Sequence, residues 1–183
     1  MAVAAVVAAG LGAWWWTRDG DDDPLAGRPW VTDLKAGVSY QVPEGWQRDR
    51  KDLVNAFTST IRTKDDGEGD DAPYGMVLTG WGGAVAESGL RERAESTARS
   101  NAGFFYPDGS SEPTESEATT VDGRAAHTVV LAVKDGEGGA AHLRLTLVRA
   151  DAGRSVFLLG VAKPGEGAEQ EAADAVLGSA TLL

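Results

Sequence analysis

Three apolar runs, Arg124 to Lys134, Ala140 to Arg149 and Arg154 to Val161, follow one another across two short glycine-bearing turns, and no other stretch narrows the fold as far. The first turn is Asp135-Gly136-Glu137-Gly138-Gly139; the second is Asp151-Ala152-Gly153. A three-residue turn with glycine at the left-handed position joins antiparallel strands in a single register. That register sets Leu147 opposite Phe157, Leu145 opposite Leu159 and Leu143 opposite Val161, and the first turn adds Leu131 opposite Leu143 and Val129 opposite Leu145. Side chains alternate across a strand, so one face of this meander is continuously apolar. The other face carries Thr128, Val130, Ala132, His142, Arg144, Thr146, Val156 and Leu158. It is semi-polar near the first turn and apolar toward the third strand, which predicts a helix covering part of it.

Upstream, Val38, Tyr40 and Val42 alternate with Ser39 and Gln41 before Pro43, the pattern of a strand with one buried face. It pairs as a hairpin with Trp30-Val31-Thr32 across residues 33–37, while Gln47 to Val54 reads as a polar connection and Gly45-Trp46 as a corner that closes one end of the core. Residues 56–63 and 74–81 are two further strands, and Gly80-Trp81-Gly82-Gly83 reads as a bend around Trp81. Leu90, Ala94, Thr97, Ala98, Asn101 and Ala102 form a narrow stripe of mostly small residues, which predicts a helix over Ser88 to Ala102 lying close to a sheet, with Ser88 as its cap and Gly103 as its stop. Pro107 to Glu115 has the composition of a mobile loop. Pro164-Gly165 stops the third strand, a second helix follows with its stripe at Ala168, Ala172, Ala173, Val176 and Leu177 and Gly178 at its end, and Ser179 to Leu183 is a tail that pairs at a sheet edge. The expected fold class is α+β, an antiparallel β-sheet flanked by helices in an α/β/α sandwich, occupying residues 30–183 as a single domain.

The apolar run Ala2 to Trp16 carries no charge and ends in three consecutive tryptophans before the acidic segment Asp19 to Asp23. As a helix it reaches about 22 Å, short of the roughly 30 Å of a bilayer core. Tryptophan favours the headgroup boundary, so residues 1–18 are expected to be a membrane anchor, followed by an acidic tether over residues 19–29. The domain is then extracytoplasmic on a single-pass protein of the cell membrane. The alternative is a cleaved signal peptide and a secreted domain, against which stand the tryptophans where small residues are needed; the missing basic flank counts against both readings. A net charge of −11 disfavours nucleic acid as a partner, and the absence of cysteine rules out disulfides, thiolate metal sites and a lipidated cysteine anchor.

The phrase Ala36-Gly37-Val38-Ser39-Tyr40-Gln41-Val42-Pro43-Glu44-Gly45-Trp46 and the ending Gly153-Arg154-Ser155-Val156-Phe157-Leu158-Leu159-Gly160-Val161-Ala162, followed by a helix, resemble actinobacterial envelope proteins with a PsbP-like or LpqN-like domain. The resemblance covers about residues 30–183. It implies an antiparallel sheet between helices and an accessory or interaction role at membranes rather than an enzyme. It transfers no functional residue set, and the lipobox cysteine of the LpqN-like lipoproteins is missing here.

Candidate chemistry is sparse. The two histidines, His127 and His142, fall on opposite faces of the meander, so they share neither a metal nor a proton relay; His127 reads as a hydrogen-bonded residue at the core margin. There is no nucleophile elbow, phosphate loop or dinucleotide fingerprint. No catalytic residue, cofactor or metal site is assigned. The expectation is a non-catalytic, membrane-anchored extracytoplasmic interaction domain whose partner is another envelope protein or a cell-wall component, met through Phe104, Phe105, Tyr106, His142 and Arg144. The alternative is an enzyme of unfamiliar type that uses a divalent metal held by the acidic loop at Asp65, Asp66, Glu68, Asp70 and Asp71.

Overall fold

Every cross-strand pair expected in the meander is present, and the rest of the molecule is built outward from it. The computed structural model describes residues 24–49, 56–64 and 73–183. The apolar run at the amino terminus and the acidic loop at 65–71 lie outside these residues. Among the described residues no helix is long and apolar enough to cross a membrane.

The chain runs β1 (Trp30–Asp33), β2 (Val38–Gln41), β3 (Trp46–Asp49), β4 (Ser59–Thr63), β5 (Tyr74–Gly83), α1 (Leu90–Phe105), β6 (Ser110–Val121), β7 (Arg124–Lys134), β8 (Ala140–Arg149), β9 (Arg154–Lys163), α2 (Ala168–Gly178) and β10 (Thr181–Leu182). Seven strands form an antiparallel sheet in the order β3-β4-β5-β9-β8-β7-β6. The hairpin β1-β2 stays out of that sheet and takes β10 as its third strand. The architecture is α+β, with α1 on one face of the large sheet and α2 with the small sheet on the other.

Two apolar layers follow. On one face Leu90, Ala94, Ala98 and Ala102 of α1 meet Val129, Leu131, Leu143, Leu145, Leu147, Leu159 and Val161. Small side chains let the helix axis sit close to the sheet, as the alanine stripe requires. On the other face Val38 and Tyr40 of the hairpin and Ala173, Val176 and Leu177 of α2 cover Val148, Val156 and Leu158. Trp46 is buried in this second layer, behind a left-handed Gly45, so it does close a core corner.

Several local expectations are corrected. Residues 46–49 are a strand rather than a polar connection, because they pair with β4. Residues 24–29, expected in the tether, pack onto the domain: Leu25 is buried and its carbonyl accepts from the Gln41 amide Nε2 at 2.8 Å. The helix passes Gly103 and ends at Phe105, and it is entered through a 3₁₀ turn over Glu87–Gly89, so Ser88 caps nothing. The expected loop at 107–115 contributes to β6, whose pairing to β7 runs on to a two-residue turn at Asp122-Gly123, both with positive φ. Pro113 sits at a bulge on this edge strand, where a missing donor is tolerated. Residues 80–83 do not bend; they pair with β9 as far as Gly83. Gly153 does not take a positive φ, and the β8-β9 turn is instead closed by the Asp151 carboxylate accepting from Gly153 N at 2.7 Å.

Candidate functional site

The side chains singled out from the sequence do not share one surface. His142 and Arg144 project from β8 toward α2 and meet Asp174 there. The imidazole Nε2 lies 3.3 Å from Asp174 Oδ1, and the Arg144 guanidinium 3.4 Å from Oδ2. His142 is only 8% exposed. The pair therefore pins the helix to the sheet and offers little to a partner. Phe104, Phe105 and Tyr106 lie on the opposite face, at the end of α1. Phe105 and Tyr106 are half-buried and pack on the core, and Phe105 makes edge contact with Phe104 at 5.2 Å between ring centres. Phe104 alone stands out, 57% exposed.

A larger exposed group lies at the other end of the large sheet. The β1-β2 turn is held by Asp33, whose Oδ1 accepts from Lys35 N at 3.0 Å and Ala36 N at 3.1 Å. The other oxygen accepts from Thr79 Oγ1 at 2.6 Å and from the Thr58 hydroxyl. The hairpin thus reaches Thr79 on β5 and stops there, leaving Trp81 on the same face uncovered at 56% exposure. Arg154 bridges the gap: its guanidinium lies over the Trp81 ring at 5.8 Å and donates to the Lys35 carbonyl. Leu34 at the turn is 81% exposed, and Leu183, whose amide donates to Gly37 O at 3.1 Å, is 66% exposed. The exposed Trp81 and Leu34 are thus linked through Arg154 and the β1-β2 turn, and Leu183 is exposed beside the same turn.

This arrangement of layers is shared with known proteins. The chain is similar to cyanobacterial PsbP (CyanoP) from Synechocystis sp. PCC 6803, with a TM-score of 0.61 and 14% identity over 99% of both chains. It is also similar to LpqN of Mycobacterium tuberculosis, described as involved in cell envelope biogenesis, with a TM-score of 0.56 and 14% identity over 79% of this chain and 82% of that one. The fold is PsbP-like. No protein-family model matches the sequence, and no curated protein sequence matches it significantly.

Within the PsbP-like sheet one polar cluster has the residue types of a hydrolytic site. Ser116 Oγ on β6 lies 2.9 Å from His127 Nε2 and donates to Glu95 Oε1 on α1 at 2.8 Å. The order is wrong for nucleophile activation, because the acid faces the serine and not the far nitrogen of the histidine. Hydrogen bonds from Arg91 and Ser116 hold Glu95 down at a pKa of about 2, so it stays anionic. Burial lowers the pKa of His127, which favours the neutral ring. The cluster ties α1 to the sheet edge, and His127 is the hydrogen-bonded core-margin residue expected. Among the described residues no three metal-ligating side chains converge.

Proposed function

We propose that this chain is a non-catalytic accessory domain of the cell envelope that docks another envelope protein through the Leu34-Trp81-Arg154 patch. The observation that carries the reading is the patch itself: exposed apolar groups that gather at one place mark interaction sites, whereas scattered ones do not. Tryptophan and arginine are the residues most enriched among those that dominate binding energy, and here they already touch. The described involvement of LpqN in envelope biogenesis supports the location. Residues 1–18 act as the anchor in this reading, with the domain on the extracytoplasmic side; the three tryptophans and the uncharged run support that. Phe104 is a second, smaller contact of the same kind.

The test is a pull-down from detergent-solubilised membranes of the native host with the full-length chain, comparing wild type, a Leu34→Ser/Trp81→Ser double variant and Phe104→Ser. One envelope protein retained by wild type and by Phe104→Ser, but lost with the double variant, is the expected result. Equal retention by all three overturns the assignment of the patch.

A further inference from the structure

On the α1 side of the same sheet end, the β6-β7 and β8-β9 turns and the 3₁₀ turn before α1 enclose a cleft of about 400 Å³. Its walls include Glu87, Thr120, Arg124, Ala125, Arg149 and Asp151. That volume is within the range of small-molecule sites. The cleft is polar, and it lies on the opposite face of the sheet from the Trp81 patch.

Arg149 is the informative residue. Its Nε is sealed from solvent and has no acceptor among the described residues. A guanidinium cannot shed its proton, and this one makes no hydrogen bond or ion pair among the described residues, so its terminal nitrogens are left to take an acceptor in the cleft they line. Asp151 Oδ1 is taken by Gly153 N, and Ser155, paired with Arg149 across the strands, donates its hydroxyl to Gly83 O at 2.9 Å. Arg124 lines the same cleft, and neither arginine forms an ion pair among the described residues, although Glu87 and Asp151 are in the same walls. Two unpaired guanidinium groups in one concavity match the planar, bidentate geometry of a carboxylate or phosphate. The two acids set the rest of the specificity: they repel a polyanion and accept hydrogen bonds from hydroxyl or ammonium groups.

We propose that this cleft binds a small ligand bearing one phosphate or carboxylate group, gripped by Arg149 and Arg124, with hydroxyl or amine donors turned to Glu87. The ligand is either a free metabolite-sized anion or the headgroup of an anionic lipid, which share this chemistry. The site is independent of the docking patch, and either one stands if the other fails.

Calorimetric titration of the full-length chain at fixed ionic strength tests it, with inorganic phosphate, glycerol 3-phosphate, acetate and monomeric dihexanoyl phosphatidylglycerol as probes. Saturable binding of at least one probe is expected, weakened at least tenfold by Arg149→Gln, less by Arg149→Lys, and untouched by Arg99→Gln, whose arginine pairs with Glu95 at 3.1 Å far from the cleft. Binding of the soluble anions marks a free ligand as the source, and binding of the phosphatidylglycerol alone marks a lipid headgroup. Thermal unfolding of each variant checks its fold; if Arg149→Gln does not fold, Arg149→Lys and Arg124→Gln carry the test. No saturable binding of any probe, or equal binding by wild type and the cleft variants, overturns the proposal.

Discussion

Asp33 and Tyr40 join the two sheets, and each does so with buried polar atoms. The Asp33 carboxylate accepts four hydrogen bonds, two from its own turn and two from threonines on the large-sheet side. Replacing it by alanine leaves Thr79 Oγ1 and two backbone donors without their partner, and the expected loss is about 3 kcal/mol or more in urea unfolding. Tyr40 is fully buried, and its hydroxyl lies 2.6 Å from Ser59 Oγ. Burial pushes its pKa up from 10.0 to about 12. A raised folded pKa on an acid means that the native state holds the proton longer than the unfolded chain does. Stability from this group is therefore complete below pH 10 and drains away as the pH rises toward 12. The alkaline loss is about 3 kcal/mol by the conversion of one pKa unit to 1.36 kcal/mol. Tyr40→Phe abolishes that alkaline limb while costing about 1 kcal/mol at neutral pH through the lost hydrogen bond. His127 works in the other direction. Its folded pKa lies below 6.5, so its contribution is present above pH 6.5 and is lost as the pH falls beneath it. Urea midpoints across the acid range show this limb in wild type and not in His127→Leu.

Elements were legible where periodicity and turn chemistry agreed. The meander and the first hairpin lie where their alternation placed them, and the alanine stripe of α1 is the face that packs. Strand β6 was not legible from composition. Its serines, glutamates and Pro113 are the marks of a solvated loop, and it is a strand because β7 supplies a ladder and because an edge strand faces water on both sides of its outer half. One local signal for it did exist: Thr119-Thr120-Val121 followed by Asp122-Gly123 is a β-branched run before a type I′ turn. The glycines of β5 misled for the opposite reason. Gly80 is there because a Cβ would fall 2.3 Å from Phe157 Cζ and 2.4 Å from the Ala56 carbonyl oxygen, a cross-strand fact that no local reading contains. Phe157 in turn sits edge-on to Phe57 at 5.9 Å. Gly80→Ala is expected to destabilise by about 1 to 3 kcal/mol, since backbone on one side cannot yield, and a shift of the thermal midpoint measures it.

The whole molecule has two distinct ends, separated by the ten residues of β9, about 33 Å at strand rise. One end carries Phe104; the other carries Trp81, Leu34 and Arg154 on one face and the Arg149 cleft on the other. The helix-end aromatics were visible in the sequence as a cluster, though only one ring of the three is free. The pair His142 and Arg144 was visible as a polar break in an apolar face, which is where α2 brings Asp174. The Trp81 patch was not visible, because its exposure depends on where the β1-β2 hairpin stops over β5. Cysteine labelling tests docking outside the cytoplasm, since the chain has no cysteine of its own. Single-cysteine variants at Leu34, in the patch, and at Glu115, on the exposed edge strand, are treated in intact cells of the native host with a membrane-impermeant maleimide. Cys at 115 is expected to be labelled without permeabilisation and Cys at 34 to be protected, while both react in the purified protein. Labelling of neither before permeabilisation contradicts the extracytoplasmic location, and equal labelling of both in cells contradicts the docking surface.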